Sequence, residues 1–440
     1  IIKYEVMKFY STNNTSIKVD LEHAVTQGLA PDNGLYMPES IPVLSKDFFD
    51  TIEKKSFQEI GLAVAKNIIG DDIAESELKR IVDHTIQFDA PVVKVEDDVF
   101  ALELFHGPTL AFKDFGARFM SQLLGYFAKR QKQEIVILVA TSGDTGSAVA
   151  NGFLGVAGTR VVVLYPSGKV SDIQEKQFTT LGKNITALEV DGTFDDCQGL
   201  VKQAFLDQEL KEKFFLTSAN SINIARLIPQ SFYYFYAYAQ VKDKNKPVVF
   251  SIPSGNFGNL TGGLLAKRMG LPIHQFVAAT NVNDVVPQYL HTKEFKPRSS
   301  QQTISNAMDV GNPSNFDRIL NLYGGDFDAL SNEIYGCSFT DEETQLAMRH
   351  IYSTKQYVMD PHGAIGYLGL KKYIAEKKEK VTGIFLETAH PAKFKDVVDE
   401  TLGEKIEIPK PLMKFMSKNK QSITMQKDFV SFKNYLLLNL

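Results

Sequence analysis

The segment Glu134–Phe153, EIVILVATSGDTGSAVANGF, places an uninterrupted apolar run directly before a turn of small polar residues. The run Glu134–Ala140 is short and rich in Val and Ile, which is typical of a strand buried on both faces of a parallel sheet. The turn TSGDTG follows at once, and the residues after it, through Phe153, favour a helix. The segment therefore predicts a strand, a loop and a helix in succession.

The same succession recurs along the chain. Further strands are predicted at Arg160–Tyr165, Ile185–Val190, Pro247–Ile252, His274–Ala279 and Val381–Leu386. Helices are predicted between them at Ser171–Leu181, Asp195–Phe205 and Asn259–Met269, with another beginning near Lys393. Apolar strands that alternate with helices predict an α/β fold with doubly wound parallel sheets. Ligands of such sheets bind in the loops at the carboxyl ends of the strands.

Residues 7–97 differ from this pattern. They contain two long helical patterns, Phe57–Ile69 and Glu75–Ile86, and a loop punctuated by Gly and Pro, Gly28–Pro42. Because 440 residues exceed the size of one typical core, two or three domains are expected. Met7 is a candidate for the natural first residue, and Ile1–Val6 lacks the basic-then-apolar pattern of a signal peptide.

Composition narrows the classes of function. The formal net charge is −4 and the pI is near 6.1, so the chain lacks the positive field of a nucleic-acid or anionic-membrane binder. No apolar run approaches the roughly 20 residues of a membrane-spanning helix. Cys197 and Cys337 lie far apart without a CxxC motif, which indicates a reduced cytoplasmic compartment and neither a disulfide nor a zinc site. Each is interpreted as a small buried hydrophobe in preference to a catalytic thiol.

Three strand-to-helix loops contain polar groups suited to ligands, and each also has a purely structural interpretation. The loop Ser254–Asn259, SGNFGN, combines two glycines with a helix N-terminus, which suits a phosphate, although a tight turn explains it equally well. The loop Thr141–Gly146 could hold a carboxylate or only cap a helix. Thr388 directly follows the predicted strand sequence VTGIFLE and could donate to a ligand, but the sequence alone favours an N-cap.

A single lysine stands out in an apolar segment. Lys113 lies in His106–Gly116, HGPTLAFKDFG, between Phe112 and Phe115. Burial would lower the pKa of its ammonium group, as a Schiff-base or proton-shuttling lysine requires. The alternative is a surface ion pair with Asp114, which the residues taken alone favour.

Four motifs in this order change that preference: HGPTLAFKDFGARF, TSGDTGSA, IPSGNFGN and TAHPAKF. Together they resemble the threonine synthases of the longer bacterial and fungal type, which are pyridoxal-phosphate enzymes with the fold of the tryptophan synthase β subunit. The segments VTQGLA, GLYMP, SANSINIAR and ATNVN are similar to the same family. The resemblance extends from about Met7 to Val398 and is less diagnostic beyond it.

The resemblance implies an α/β fold of two doubly wound parallel-sheet subdomains around a pyridoxal phosphate cleft, plus a smaller N-terminal domain. We therefore expect an N-terminal domain at 7–97 and a catalytic region at 98–400, whose smaller subdomain covers about 115–215. A C-terminal helical tail at 401–440 is expected to pack on the catalytic region.

By the same resemblance, Lys113 is the lysine that holds pyridoxal phosphate as a Schiff base, and it is the main proton carrier. The other implied cofactor residues are Gly255, Asn256, Phe257, Gly258 and Asn259 for the phosphate, Thr388 for the pyridine nitrogen and Asp144 for the 3′-oxygen. Relatives of this fold often have Asn where Asp144 stands, and two anionic oxygens would repel each other there. The implied substrate residues are Thr141, Ser142 and Thr145 for the α-carboxylate, and Asn220, Ser221 and Arg226 for a phosphate. No metal is implied.

The implied reaction converts O-phospho-L-homoserine and water to L-threonine and phosphate, the last step of threonine biosynthesis. One alternative is a serine/threonine dehydratase-type pyridoxal-phosphate lyase, and another is a repurposed protein that only binds phosphorylated ligands. The HGPT sequence before Lys113 and the separate anion group at Asn220–Arg226 weigh against the first alternative. The intact lysine and phosphate loop weigh against the second. A cytoplasmic monomer is expected, acting on a small molecule. His106, His362 and His390 are interpreted as structural hydrogen-bonding groups.

Overall fold

The fold is organised around three sheets in the part of the chain that the computed structural model describes, residues 7–130, 133–242 and 245–440. The strands are β1 Phe9–Ser11, β2 Lys18–Val19, β3 Tyr36–Pro38, β4 Val92–Glu96, β5 Val99–Glu103, β6 Ile135–Ala140, β7 Thr159–Pro166, β8 Ile185–Asp191, β9 Phe215–Ser218, β10 Val248–Pro253, β11 Ile273–Thr280, β12 Ile334–Ser338, β13 Thr382–Glu387 and β14 Ile423–Gln426.

Two of these sheets are largely parallel. The five-stranded sheet has the order β14-β8-β7-β6-β9 and is parallel throughout. The six-stranded sheet has the order β12-β11-β10-β13-β5-β4, in which only β4 runs antiparallel to its neighbour. The third sheet, β2-β1-β3, is antiparallel and lies near the N-terminus. The prediction of an α/β fold with two parallel sheets and a smaller N-terminal unit is confirmed.

Helices occupy most of the segments between the strands. They are α1 Leu21–Gln27, α2 Lys46–Asp50, α3 Phe57–Ile69, α4 Glu75–Thr85, α5 Lys113–Ala128, α6 Asp144–Phe153, α7 Asp172–Thr179, α8 Phe194–Leu206, α9 Gln208–Lys213, α10 Ile224–Leu227, α11 Phe232–Val241, α12 Gly258–Arg268, α13 Val285–Thr292, α14 Phe316–Leu322, α15 Phe327–Glu333, α16 Asp341–Lys355, α17 Pro361–Lys377, α18 Lys395–Leu402, α19 Lys410–Met416 and α20 Phe429–Asn439. Short 3₁₀ turns include Ile228–Ser231 and Pro391–Phe394.

Burial explains why the central strands are continuous apolar runs. Every residue of β6, β10 and β13 is buried, because helices cover these sheets. Helix α17 packs on β10, β11 and β13, while α6 and α8 pack on β6 and β7. Each strand predicted from the sequence lies within one residue of its observed bounds. The predicted helix near Lys393 begins at Lys395, directly after the 3₁₀ turn Pro391–Phe394.

Three stretches differ from the sequence expectation. The predicted loop Gly28–Pro42 contains β3, which pairs with β1. The region 401–440, expected to be helical, contains β14, which extends the five-stranded sheet along β8. Strand β14 reads ITMQ and is mostly exposed, so it has no apolar run to signal a strand. The expected boundary after residue 97 falls between β4 and β5, which form one antiparallel hairpin.

Both cysteines are buried free thiols, as the structural interpretation expected. Burial raises the pKa of the Cys197 thiol and of the Cys337 thiol to about 12, so neither is a reactive thiolate near neutral pH. Over the described ranges, no helix is both long enough and apolar enough to cross a bilayer.

Candidate active site

The segment that ends at Lys113 lies alongside the loop that contains Thr388. The Phe112 N–H donates to the Thr388 carbonyl at 2.8 Å, and the His390 N–H donates to the Leu110 carbonyl at 3.0 Å. Lys113 is the first residue of α5, so its side chain projects where this segment meets the carboxyl end of β13. Two of the motifs predicted from the sequence are therefore neighbours in space.

Asp114 does not pair with Lys113. The Asp114 carboxylate is fully buried and accepts hydrogen bonds from the Thr109 N–H at 2.8 Å and from Thr109 Oγ1 at 2.7 Å. The alternative interpretation of a surface ion pair between Lys113 and Asp114 is therefore wrong. Asp114 instead shapes the turn that leads into α5.

The Lys113 amine is half-buried and has no hydrogen-bond or ion-pair partner among the described residues. Burial lowers its pKa to about 8. The negative charge of Asp144 opposes this shift, whereas the positive charges of Arg226 and Lys393 add to it. A substantial fraction of this lysine is therefore the neutral, nucleophilic amine at mildly alkaline pH.

The loop between β10 and α12 presents free backbone donors. Phe257 has a left-handed backbone (φ 61°) and precedes the first residue of α12. Ser254 Oγ donates to Asn259 Oδ1 at 2.7 Å, and Asn259 Nδ2 donates to the Pro253 carbonyl at 2.9 Å, which holds the loop in shape. The N–H groups of residues 255–259 donate to no described residue. Unpaired N–H groups at a helix N-terminus suit a phosphate better than a simple tight turn does.

In the loop between β6 and α6, one hydroxyl group stabilises the loop and two are unpaired within the described chain. Thr141 Oγ1 accepts from the Gly143 N–H at 2.9 Å and from the Gly146 N–H at 2.8 Å, so Thr141 shapes the loop. Ser142 is exposed and Thr145 is half-buried, and neither side chain has a hydrogen-bond partner among the described residues. Ser142 and Thr145 are therefore the hydroxyls available to a ligand.

Thr388 is buried, and it is not the cap of the turn that follows it. His390 Nδ1 accepts from the Ala392 N–H at 3.1 Å and so caps the 3₁₀ turn Pro391–Phe394. The N-cap alternative for Thr388 is therefore wrong, and its hydroxyl has no partner among the described residues. Burial lowers the pKa of His390 to about 4, which keeps the ring neutral as a cap acceptor.

Arg226 is a buried cation with an unused donor. Its side chain is 4% exposed, one terminal nitrogen donates to the Ala219 carbonyl, and Nε has no hydrogen-bond partner. Burial lowers its pKa to about 10, so the guanidinium remains charged at neutral pH. Asn220 Oδ1 nearby is also buried without a partner. A buried cation that pairs with no carboxylate of the described chain fits an anionic ligand.

Ser221 links this anion group to the β10–α12 loop. Asn256 Nδ2 donates to Ser221 Oγ at 2.7 Å, and Asn315 Nδ2 donates to the same oxygen at 3.2 Å. Asn256 Oδ1 accepts from the Ser314 N–H at 2.7 Å. The two predicted phosphate-binding groups are therefore adjacent and joined by side chains.

The sequence did not single out Lys393, which lies at the centre of the cleft's ionic contacts. Its ammonium group is fully buried, lies 2.6 Å from Asp144 Oδ1 and donates to the Thr109 carbonyl at 2.8 Å. Gln174 Nε2 also donates to Asp144 Oδ1, at 2.8 Å. Burial alone would raise the pKa of Asp144, but Lys393, Lys113 and these hydrogen bonds hold that pKa well below its usual range. The signal that drew attention to Lys113, a lysine between apolar residues, is also present in PAKF.

The other histidines expected to be structural are hydrogen-bonded to acids. His362 Nδ1 lies 2.8 Å from Asp360 Oδ2, and His106 Nε2 lies 2.8 Å from Glu103 Oε2. Over the described ranges, no three His, Cys, Asp or Glu side chains are grouped so as to hold a metal ion.

Comparison with known proteins agrees with this geometry. The family described as "Threonine synthase N terminus" matches residues 8–86, "Pyridoxal-phosphate dependent enzyme" matches 86–385, and "Threonine synthase, C-terminal" matches 363–436. The chain belongs to the threonine synthase family. A threonine synthase of Escherichia coli (strain K12) is 45% identical over 432 residues, which cover 98% of this chain and 99% of that relative. Pyridoxal phosphate is the cofactor of this family, as the resemblance implied.

Solved structures lead to the same family. The crystal structure of threonine synthase from Escherichia coli matches with a TM-score of 0.91 and 44% identity, covering 99% of this chain and 100% of that one. A structure of "PLP bound Threonine synthase" from Brucella melitensis matches with a TM-score of 0.91 and 34% identity, covering 98% of each chain. Two of the three matching families are specific to threonine synthases, which favours this function over the dehydratase-type alternative.

The residues of the cleft fit pyridoxal phosphate. An aldehyde reacts with an unprotonated amine, and the Lys113 amine is unpaired with a lowered pKa. The free N–H groups of residues 255–259 suit its phosphate, and the Thr388 hydroxyl is unpaired beside the Lys113 segment. The expected repulsion at Asp144 is relieved, because Lys393 balances its charge.

Proposed function

We propose that this chain converts O-phospho-L-homoserine and water to L-threonine and phosphate, with Lys113 at the reacting carbons and Arg226 at the phosphate. One observation carries the proposal. Lys113 and Gly116 lie three residues apart on one face of α5, and a Cβ built on Gly116 would lie 2.7 Å from Arg226 Nε. The unpaired Nε of Arg226 therefore lies against α5 one turn beyond the reactive amine.

The cofactor would be held by groups from three loops. Lys113 would bind it covalently, the N–H groups of Gly255, Asn256, Phe257, Gly258 and Asn259 would hold its phosphate, and the Thr388 hydroxyl would face its ring nitrogen. Asp144, with its charge balanced by Lys393, would lie on the 3′-oxygen side. When bound, pyridoxal phosphate supplies an electron sink for negative charge at the substrate α-carbon.

The substrate would lie between two anion-binding groups. Thr141, Ser142 and Thr145 would bind the α-carboxylate, with Ser142 and Thr145 supplying the free hydroxyls and Thr141 the loop's shape. The substrate phosphate would contact Asn220, Ser221 and Arg226. Because Nε of Arg226 is unpaired and buried, its interaction with departing phosphate would strengthen as charge develops.

Lys113 would also move protons. With the cofactor and substrate bound, the Lys113 amine would act as the base that takes the α-proton. Removal of a β-proton would then let the γ-phosphate leave. Delivery of a proton to the γ-carbon, addition of water at the β-carbon and return of a proton to the α-carbon would complete the conversion. No other described side chain near the cleft offers an unpaired amine for this task.

The test is turnover of phosphohomoserine by the purified chain, measured as phosphate release and threonine formation. Arg226→Gln is expected to lower kcat/KM for this substrate roughly 30- to 150-fold, with a raised KM, from about 2–3 kcal/mol for a lost charge-assisted hydrogen bond. Arg118→Gln is the matched control. Arg118, on α5, is a buried arginine like Arg226, but it donates to the His84 carbonyl and to Gln87 Oε1. That variant should lose stability and keep KM.

Three results would contradict the proposal in whole or in part. Water loss from threonine without phosphate release from phosphohomoserine would indicate the dehydratase-type lyase. Binding of phosphorylated ligands without turnover or a cofactor adduct would indicate the repurposed binder. An unchanged KM in Arg226→Gln would remove Arg226 from the substrate site.

The organisation of the protein is proposed from the same features. We infer an N-terminal domain at 7–97, a catalytic region at 98–400 with a smaller subdomain at about 115–215, and a tail at 401–440 that packs on it. A cytoplasmic location without a nucleic-acid partner is supported by the net charge of −4 and two buried free thiols. A monomer is inferred from the resemblance to the longer type of the family. Sedimentation equilibrium at micromolar concentration tests the monomer, and a dimer mass would refute it.

A further inference from the structure

Lys393 joins three parts of the cleft through one ammonium group. It lies in the 3₁₀ turn after β13, which belongs to the six-stranded sheet. Its partner Asp144 is the first residue of α6, which follows β6 of the five-stranded sheet. Its other acceptor is the carbonyl of Thr109, in the segment that leads to Lys113. The contact therefore bridges both sheets beside the reactive amine.

Lys393 and Asp144 form an ion pair that is almost completely shielded from water. The Lys393 side chain is 0% exposed and the Asp144 side chain is 5% exposed. Gln174 Nε2 completes the contacts of Asp144 Oδ1, and Gln177 Nε2 shares the Thr109 carbonyl with Lys393 at 3.0 Å. Because the pair is buried and hydrogen-bonded, Lys393 is the cation that Asp144 contacts directly.

Lys113 is the second cation within the field of Asp144. The charged groups that face the Lys113 amine are Asp144 from α6, Arg226 from α10 and Lys393 from the 3₁₀ turn. Asp114, on the same helix as Lys113, is held by Thr109 instead. Asp144 attracts a proton to Lys113, while both neighbouring cations repel one.

We propose that Lys393 is a positioning residue that engages Asp144 and thereby prevents an ion pair between Asp144 and Lys113, leaving the Lys113 amine free to react. This rests on the proposed role of Lys113 as the lysine that binds the cofactor. Without Lys393, the buried Asp144 carboxylate would have Lys113 as its remaining cationic neighbour among the groups named above. An ammonium group held in that way is not a nucleophile.

The chain offers four informative variants. Lys393→Met removes the competing cation and leaves Asp144 available to Lys113. Lys393→Arg keeps the charge. Asp144→Asn removes the anion and keeps an oxygen for Lys393 to contact. The double variant Lys393→Met with Asp144→Asn removes both charges, so no buried carboxylate is left unpaired.

The measurement is the reactivity of Lys113 itself, in full-length protein freed of cofactor by dialysis. Brief amine acetylation across pH 6–11, followed by mass spectrometry of the Lys113 peptide, gives the pKa of that amine. The exposed Lys293, whose side chain is 63% exposed, serves as an internal reference for reagent and pH. No substrate or cofactor enters the assay, so its outcome is independent of turnover.

The wild-type Lys113 should titrate near pH 8. Lys393→Met should shift this titration upward by about one pH unit or more, which lowers the free-amine fraction near neutral pH about tenfold. Lys393→Arg should match the wild type, and the double variant should return close to it. Asp144→Asn should shift the titration downward.

An unchanged Lys113 titration in folded Lys393→Met would overturn the proposal, as would a double variant that fails to reverse the shift. If Lys393→Met does not fold, judged by circular dichroism, Asp144→Asn decides the matter. A purely structural bridge predicts no change in Lys113 labelling in that variant. Failure of phosphohomoserine turnover with the expected labelling shifts would instead count against the proposed function alone.

Discussion

Two buried arginines, Arg226 and Arg318, differ in one respect. The Arg318 guanidinium is 0% exposed, and each of its nitrogens donates to an acceptor, among them the carbonyls of Tyr36 and Ile222. Arg226 is equally deep, yet its Nε has no partner. Burial alone therefore does not distinguish the two arginines, whereas the unused Nε of Arg226 does.

The lysines of the cleft show the same contrast. Lys393 is saturated by Asp144 and the Thr109 carbonyl, while the Lys113 amine is unpaired. Since an unpaired buried polar group costs stability, a fold tolerates it where a ligand completes the contact. We therefore assign a structural role to Arg318, a positioning role to Lys393, and chemistry to Arg226 and Lys113, which each keep an unused donor.

The largest difference is expected in stability. Arg318→Met leaves several buried carbonyls without a hydrogen-bond donor and should lower the free energy of unfolding by about 2–4 kcal/mol. Arg226→Met leaves one buried carbonyl without its donor and also removes a desolvated cation. The free energy of unfolding should therefore fall by less than about 1 kcal/mol. Urea unfolding of both variants measures this difference. Equal losses would show that the two arginines do the same structural work.

A pH dependence follows from the Lys113 pKa of about 8. The neutral amine attacks the cofactor aldehyde, so the rate of cofactor attachment to the dialysed protein should rise about tenfold per pH unit below 8 and level off above it. Stopped-flow absorbance after mixing with pyridoxal phosphate measures this rate. A rate that keeps rising to pH 10 would show an ordinary lysine.

The smallest effects are expected in the β6–α6 loop. Thr141→Val leaves the Gly143 and Gly146 N–H groups without their acceptor and should cost about 1–3 kcal/mol of stability. Ser142→Ala touches no internal hydrogen bond, so its stability should change by less than about 0.5 kcal/mol. Its KM for phosphohomoserine should rise about two- to tenfold, as for one neutral hydrogen bond. The reverse order of effects would make Ser142 the structural hydroxyl.

The sequence predicted the elements whose signals are local. The strands β6, β7, β8, β10, β11 and β13 are continuous apolar runs, and Lys113 lies in a distinctive apolar segment. Strand β14, by contrast, is a short exposed edge strand whose pairing with β8 depends on residues far away in the chain. Its formation could not be deduced from a local pattern.

The residues of the candidate site could be predicted from the sequence, but the contacts between them could not. Nothing local distinguishes the hydroxyl of Thr388 from an N-cap until His390 is seen to cap the turn. The partnership of Lys393 with Asp144 joins loops from two different sheets, so neither residue alone indicates it. Which of two buried arginines has a free donor is likewise a property of the assembled fold.

The central claim is that Lys113, whose amine is unpaired, binds the cofactor, and that Lys393, which is paired with Asp144, does not. Borohydride reduction of the protein loaded with pyridoxal phosphate, followed by peptide mapping, tests this most directly. We expect one reduced adduct, on Lys113, and none in Lys113→Ala, which should also lose the cofactor's absorbance and nearly all turnover. An adduct on Lys393, or an intact adduct in Lys113→Ala, would contradict the claim.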